Sequence, residues 1–234
     1  MEIKQDDYEA WYNRGVYLSE QGRYEESVEF YDKALEIKPD YHEAWDNRGV
    51  SLAMLGLEEE AIASFEKAIV IKPDLHEAWY NRGLSLGKQG RYEESVESYD
   101  QALEFNPGDH EAWYNRGVSL DNLGRYEEAL TSYNKALEIE PDEYVAWYNR
   151  GISLDNLGRY EEAIASYETA IVIRPEAHEA WYNRGISLGK QGRYEEAVES
   201  YDKALEIKPE DQEALENRKL ILKYLRARKD GTER

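Results

Sequence analysis

The 234 residues carry 29 lysines and arginines against 50 aspartates and glutamates, a net charge of −21, with the acids spread along the whole chain. Without a clustered positive face nucleic acid is an unsuitable ligand, and a partner with a neutral to basic surface is favoured. The absence of cysteine excludes disulfides, thiolate metal sites and thiol nucleophiles. No apolar run approaches the roughly 20 residues of a membrane span, and the opening Met-Glu-Ile-Lys-Gln-Asp-Asp lacks the apolar core of a secretory signal; the expectation is a soluble, cytoplasmic protein with no membrane partner.

All six tryptophans (Trp11, Trp45, Trp79, Trp113, Trp147, Trp181) and all six prolines (Pro39, Pro73, Pro107, Pro141, Pro175, Pro209) recur every 34 residues. A strict period of this length marks units too small to bury their own apolar faces, which must stack on one another. With Trp11 as the fourth position the units are 8–41, 42–75, 76–109, 110–143, 144–177 and 178–211, after an extension over 1–7.

Each unit predicts two antiparallel helices. In the first, helix A runs from Tyr8 to about Gln21 and ends at Gly22, and helix B runs from Tyr24 to about Lys38 and stops at Pro39. Glycines at the eighth position (Gly15 to Gly185) and alanines on helix B (Ala34 to Ala204) mark close helix approach. Trp11, Leu18, Tyr24, Val28, Tyr31, Leu35 and Ile37 are the expected buried face. Acids spaced as in Asp6 and Glu9, Asp40 and Glu43, or Asp74 and Glu77 read as helix capping boxes. The last segment, 212–234, starts like another helix A, then replaces the glycine with Lys219 and turns basic through Lys223, Arg226, Arg228 and Lys229, which reads as a solvated cap up to about Lys229.

A longer period overlies the first. Units two and three resemble units five and six closely enough that a block of 102 residues looks duplicated, with unit two the outlier: Asp46 stands where other units have tyrosine, and Leu57-Glu58 replace Arg-Tyr.

The pattern of Trp, Gly, Tyr, Ala, Tyr/Phe, Ala and Pro over 34 residues resembles the tetratricopeptide repeat along nearly the whole chain. The resemblance implies an all-α solenoid, a right-handed superhelix of stacked helix pairs with A helices lining its concave wall. Two departures are the arginines at position seven (Arg14, Arg48, Arg82, Arg116, Arg150, Arg184), where the family is apolar, and leucine at position eleven in place of tyrosine. An arginine at a usually buried site needs a partner or a path to water, and the sequence does not name one.

The groove stripe of helix A carries an asparagine in every unit: Asn13, Asn47, Asn81, Asn115, Asn149 and Asn183, with Asn217 in the cap. Asparagine is a mediocre helix former, and its amide both donates and accepts, as an extended peptide backbone requires. Some tetratricopeptide proteins use such a ladder to hold a peptide irrespective of sequence, so the resemblance implies a clamp here; hydrogen bonding between neighbouring helices is the other reading of these residues. Beside them Tyr12, Tyr80, Tyr114, Tyr148 and Tyr182, followed by aliphatics that include Val50, Leu84, Val118, Ile152 and Ile186, could form shallow side-chain pockets or pack between repeats. Asp46 and the variable Lys88, Asp121, Asn122, Asp155, Asn156 and Lys190 are the candidates for discriminating between ligands. The family's clamp for a C-terminal carboxylate is not expected, because position two is acidic in Glu9, Glu43, Glu77, Glu111 and Glu179.

Nothing points to catalysis. His42, His76, His110 and His178 fall at the start of separate repeats, too far apart to share a metal or a relay, and no phosphate-binding glycine loop is present. The expectation is no cofactor, no metal and no enzyme activity: a scaffold binding an extended protein or peptide segment in its groove. Self-assembly into a homo-oligomer, or service as the recognition arm of a larger enzyme, are the alternatives.

Overall fold

A computed structural model describes residues 6–229. Most of the 1–7 extension, including the opening stretch examined for a secretory signal, and the end of the tail at 230–234 lie outside the described residues. Among the described residues there are thirteen helices and no strand, so the all-α expectation holds. No helix of the described residues is long and apolar enough to cross a membrane.

The chain forms two compact units, residues 1–123 and 124–234. The first contains α1 (Tyr8–Glu20), α2 (Tyr24–Ile37), α3 (His42–Met54), α4 (Glu58–Ile71), α5 (His76–Lys88), α6 (Tyr92–Phe105) and α7 (His110–Asn122). Here α1 pairs with α2, α3 with α4 and α5 with α6; each even helix also packs on the next odd one, and the odd helices touch in succession. The second contains α8 (Tyr126–Ile139), α9 (Tyr144–Asn156), α10 (Tyr160–Ile173), α11 (His178–Lys190), α12 (Tyr194–Ile207) and α13 (Gln212–Lys229), packed serially in the same way.

Local chemistry sets the helix ends. Gly22 has φ +72°, and the Gly22 and Arg23 amides donate to the Ser19 and Leu18 carbonyls at 2.9 Å, closing α1 with the paired bonds of a left-handed glycine terminus. Lys38, extended at φ −129° and ψ 83°, precedes Pro39 and ends α2. The capping boxes expected at Asp40 and Asp74 do not form. The cap positions there are Tyr41 and Leu75, one residue later, where no side-chain oxygen reaches the helix. Aspartate caps do occur at Asp7, Asp109 and Asp211, each accepting from the amide three residues on at 3.0–3.1 Å.

The core is a column of small and aromatic residues. A Cβ built on Gly15 would lie 2.6 Å from the Tyr31 ring, and Tyr31 is 1% exposed, so the glycine exists to admit the aromatic of its own helix B. Of the expected buried face, Ile37 is exposed, and Trp11, Tyr24 and Val28 are half-buried, as are the other tryptophans. Each tryptophan from Trp45 onwards donates its indole Nε1–H to the carbonyl of the proline six residues earlier, at 2.8–3.0 Å. Trp and Pro therefore recur together because the indole clips the turn between one repeat and the next.

Candidate functional site

Along the odd helices the asparagine amides meet the preceding repeat. Nδ2 of Asn47 donates to the Tyr12 hydroxyl at 2.8 Å, that of Asn115 to Tyr80 at 3.2 Å, that of Asn183 to Tyr148 at 3.0 Å and that of Asn217 to Tyr182 at 3.1 Å. Asn81 finds Asp46 instead of a tyrosine, at 3.3 Å. Asn13 is exposed in the first repeat, and Asn149 and Tyr114 are half-buried in the equivalent registers of α9 and α7. The bond uses one amide hydrogen, which leaves Asn47, Asn81, Asn115, Asn183 and Asn217 a second N–H donor and the acceptor capacity of Oδ1.

The tyrosines are anchored from behind. Tyr12, Tyr80, Tyr148 and Tyr182 tilt against the buried Tyr31, Tyr99, Tyr167 and Tyr201 with ring centroids 5.9–6.1 Å apart. The Tyr80 hydroxyl also donates to Glu111 at 3.1 Å, which ties this glutamate to the tyrosine–asparagine row. Burial and then the neighbouring Glu111 raise the Tyr80 pKa, and burial with Glu213 pushes Tyr182 up to about 12; both phenols stay protonated and able to donate. Val50, Leu84, Ile152 and Ile186 are half-buried against the adjoining core, and Val118 on α7 is half-buried.

The variable residues behave unlike one another. Asp46 is half-buried, and desolvation pushes its carboxyl up to about 6 despite the bond from Asn81, with Glu77 adding to the rise. Lys88 pairs with Glu58 at 3.0 Å, whereas Lys190, its counterpart, lies 5.0 Å from the centre of the Tyr160 ring. Asn122 and Asn156 donate back to the Val118 and Ile152 carbonyls on their own helices at 2.8 and 3.0 Å. The Asp155 carboxylate accepts from Tyr167 at 2.9 Å and from Ser187 at 2.7 and 2.8 Å, which commits it between helices. Asp121 is half-buried near the end of α7.

The position-seven arginines have specific partners on the preceding helix B. Arg48 reaches Asp32 at 2.6 Å, Arg82 reaches Glu66 at 3.1 Å, Arg116 reaches Asp100 at 2.6 Å, Arg184 reaches Glu168 at 2.8 Å, and Arg218 pairs with Asp202. Arg150 meets the neutral Asn134 at 2.8 Å, and burial lowers its pKa. A second guanidinium nitrogen donates to a serine on the repeat's own helix B, as in Arg48 to Ser64 at 2.7 Å and Arg82 to Ser98 at 2.6 Å. Arg48, Arg82, Arg150 and Arg184 thus each crosslink two successive even helices. In the first repeat Phe30 replaces the serine, and Arg14 stacks over Tyr17 and Phe30 at 5.2 and 6.0 Å, forming a distinct aromatic edge that the sequence reading missed.

Cavities open on the even-helix side within each unit. One of about 660 Å³ lies between α4 and α6 with Trp79 in its wall; others of about 390 and 430 Å³ lie beside Trp181 and Trp11. Sequence reasoning passed over these because it treated the tryptophans as interior. The signal that could have found them is the substitution pattern on the outer side of helix B.

Models of one family, described as tetratricopeptide repeat, match residues 8–41, 80–144 and 148–212, and one described as TPR repeat matches 59–90. No curated protein matches the chain in sequence. Among solved structures, YrrB, described as a TPR protein with an unusual peptide-binding site, is 25% identical with a TM-score of 0.74, over 81% of this chain and 97% of its own. MamA is 23% identical with a TM-score of 0.70, over 74% and 94%. The 41-end segment of MamA from Desulfovibrio magneticus RS-1 is 20% identical with a TM-score of 0.69, over 74% and 97%. At those identities the MamA structures speak to the fold.

Proposed function

The chain belongs to the tetratricopeptide repeat family, and from that premise we propose that it is a non-catalytic scaffold holding an extended protein segment along the row of asparagines on its odd helices. The observation that carries this reading is the repeated bond from asparagine Nδ2 to the hydroxyl one repeat back. It fixes each amide in one orientation while leaving a donor and an acceptor for a peptide backbone, so little side-chain entropy is lost on binding. Adjacent helices at the usual 8–10 Å match about three residues of extended chain. The tyrosines and their neighbouring aliphatics supply shallow pockets between these stations, and the acidic surround favours a neutral to basic ligand. The likeness to YrrB supports a peptide as the ligand class.

The test is a peptide-library screen followed by Asn81→Ala with Asn115→Ala. A fall in affinity with an almost unchanged melting temperature supports the clamp. A large stability loss with unchanged affinity would assign the row to packing and sink it.

A further inference from the structure

The outer side of helix B carries a substitution that the inner row does not explain. At the twenty-ninth position four repeats have glutamate (Glu36, Glu104, Glu138, Glu206), while the second and fifth have Val70 and Val172, which are 78% and 79% exposed. Val70 borders the cavity of about 660 Å³ between α4 and α6, whose wall also includes Trp79 and three acids, Glu66, Glu97 and Asp100. The one cation there, Arg82, is already held by Glu66 and Ser98. Where Lys203 lines the corresponding cavity beside Trp181, this one has Gln101; with Glu66 held by Arg82 and Asp100 by Arg116, Glu97 is the rim acid left to receive positive charge.

The complementary surface is α13. From Arg218 to Lys229 the helix has no acid, against a chain whose net charge is −21. Its Leu220 is 66% exposed and Tyr224 37% exposed, four residues apart and hence on one face, flanked by Lys219 and Lys223.

We propose that α13 of one copy docks into the Val70–Trp79 groove of a second copy, its Leu220 face covering the valine and a flanking lysine opposing Glu97. The mode is an amphipathic helix laid into an apolar groove with charged rims. Groove and helix are different surfaces, so the contact is heterologous: each copy offers one of each, and association proceeds beyond a pair unless a ring closes. It is independent of the asparagine row.

Light scattering on the full chain over a wide concentration range at two salt concentrations tests this. The wild type is expected to rise at least about twofold above 27.3 kDa at low salt and to fall back as salt screens the rims. Val70→Glu installs the residue four repeats already carry, and Leu220→Glu alters an exposed position; each should hold the mass at 27.3 kDa with an unchanged melting temperature. An equimolar mixture of the two variants should recover one contact and stop at a pair, since one supplies an intact helix and the other an intact groove. A constant 27.3 kDa for the wild type, or association that survives either variant, overturns the proposal. Loss of association through Asn81→Ala with Asn115→Ala, with Val70→Glu silent, would move it to the inner face and equally overturn it.

Discussion

The second and fifth repeats descend from the same pattern, yet most of their differences lie on one side, Lys67 against Thr169 being an exception. Their outer helices share Ala-Ile-Ala-Ser, the exposed Val70 or Val172, and the arginine–acid–serine crosslink to the following repeat. Their inner stations diverge: Asp46 against Tyr148, Ala53 against Asp155, Glu58 against Tyr160, and Phe65 against Tyr167. These changes are coupled. Tyr167 needs an acceptor and has Asp155 at 2.9 Å, while Phe65 has no hydroxyl and its own repeat has Ala53 in the aspartate's place. Likewise Lys88 meets the carboxylate of Glu58 where Lys190 meets the ring of Tyr160. The comparison teaches that inner positions vary as partnered sets, each set satisfying its own polar groups.

The largest effect should come from the residue the two repeats nearly share. Phe65→Ala and Tyr167→Ala remove side chains that are 1% and 0% exposed, and each should cost about 3–5 kcal/mol in denaturant unfolding. A large difference between them would show that the two stacks are not energetically equivalent. Hydrogen exchange on either variant should show its own unit opening before the other, since repeat contacts are local.

The coupled pair can be dissected next. Asp155→Ala leaves the buried Tyr167 hydroxyl without its acceptor and should cost about 1–3 kcal/mol. Asp155→Ala with Tyr167→Phe, which recreates the pair of the second repeat, should recover most of that loss. Simple additivity in the double-mutant cycle would break the idea of partnered sets.

Asp46 offers a pH-dependent contrast with Tyr148. Its folded pKa, about 6, lies above the ordinary carboxylate value of 3.8, so the folded state holds the proton more tightly and the stability this group contributes is lost as pH rises from about 4 to about 6. Asp46→Asn keeps an acceptor for Asn81 and removes the buried charge. It should raise stability at pH 7 by about 2 kcal/mol and flatten the profile between pH 4 and 6, read by urea titration at several pH values. An unchanged slope would show that Asp46 is solvated.

The smallest effect concerns the two lysines. Glu58→Tyr should exchange the Lys88 ion pair for the ring contact seen at Lys190, with a net change within about 1 kcal/mol. Its signature is salt: unfolding of the wild type should weaken with added salt more than that of the variant.

Helix positions, their terminating glycines and prolines, the capping helix and the family were legible because they depend on local rules. A left-handed turn after α1 needs Gly22, a proline cannot continue α2, and a strict period of 34 repeats both instructions. The row of asparagines was legible as a row. Its partners were not, because the acceptor lies 35 residues back on another helix, a separation no helical periodicity encodes. The arginines show the same limit: position seven announced a charge in need of company, but the choice of Asp32, Glu66 or Asn134 on the preceding helix follows from how successive hairpins cross. The sequence by itself determined which segments coil and where they stop, since those energies reside within a few neighbouring residues. Only the tertiary structure decided which amide meets which hydroxyl and that the tryptophans clip turns and wall cavities, since a hydrogen bond across helices exists only once packing has set the distance.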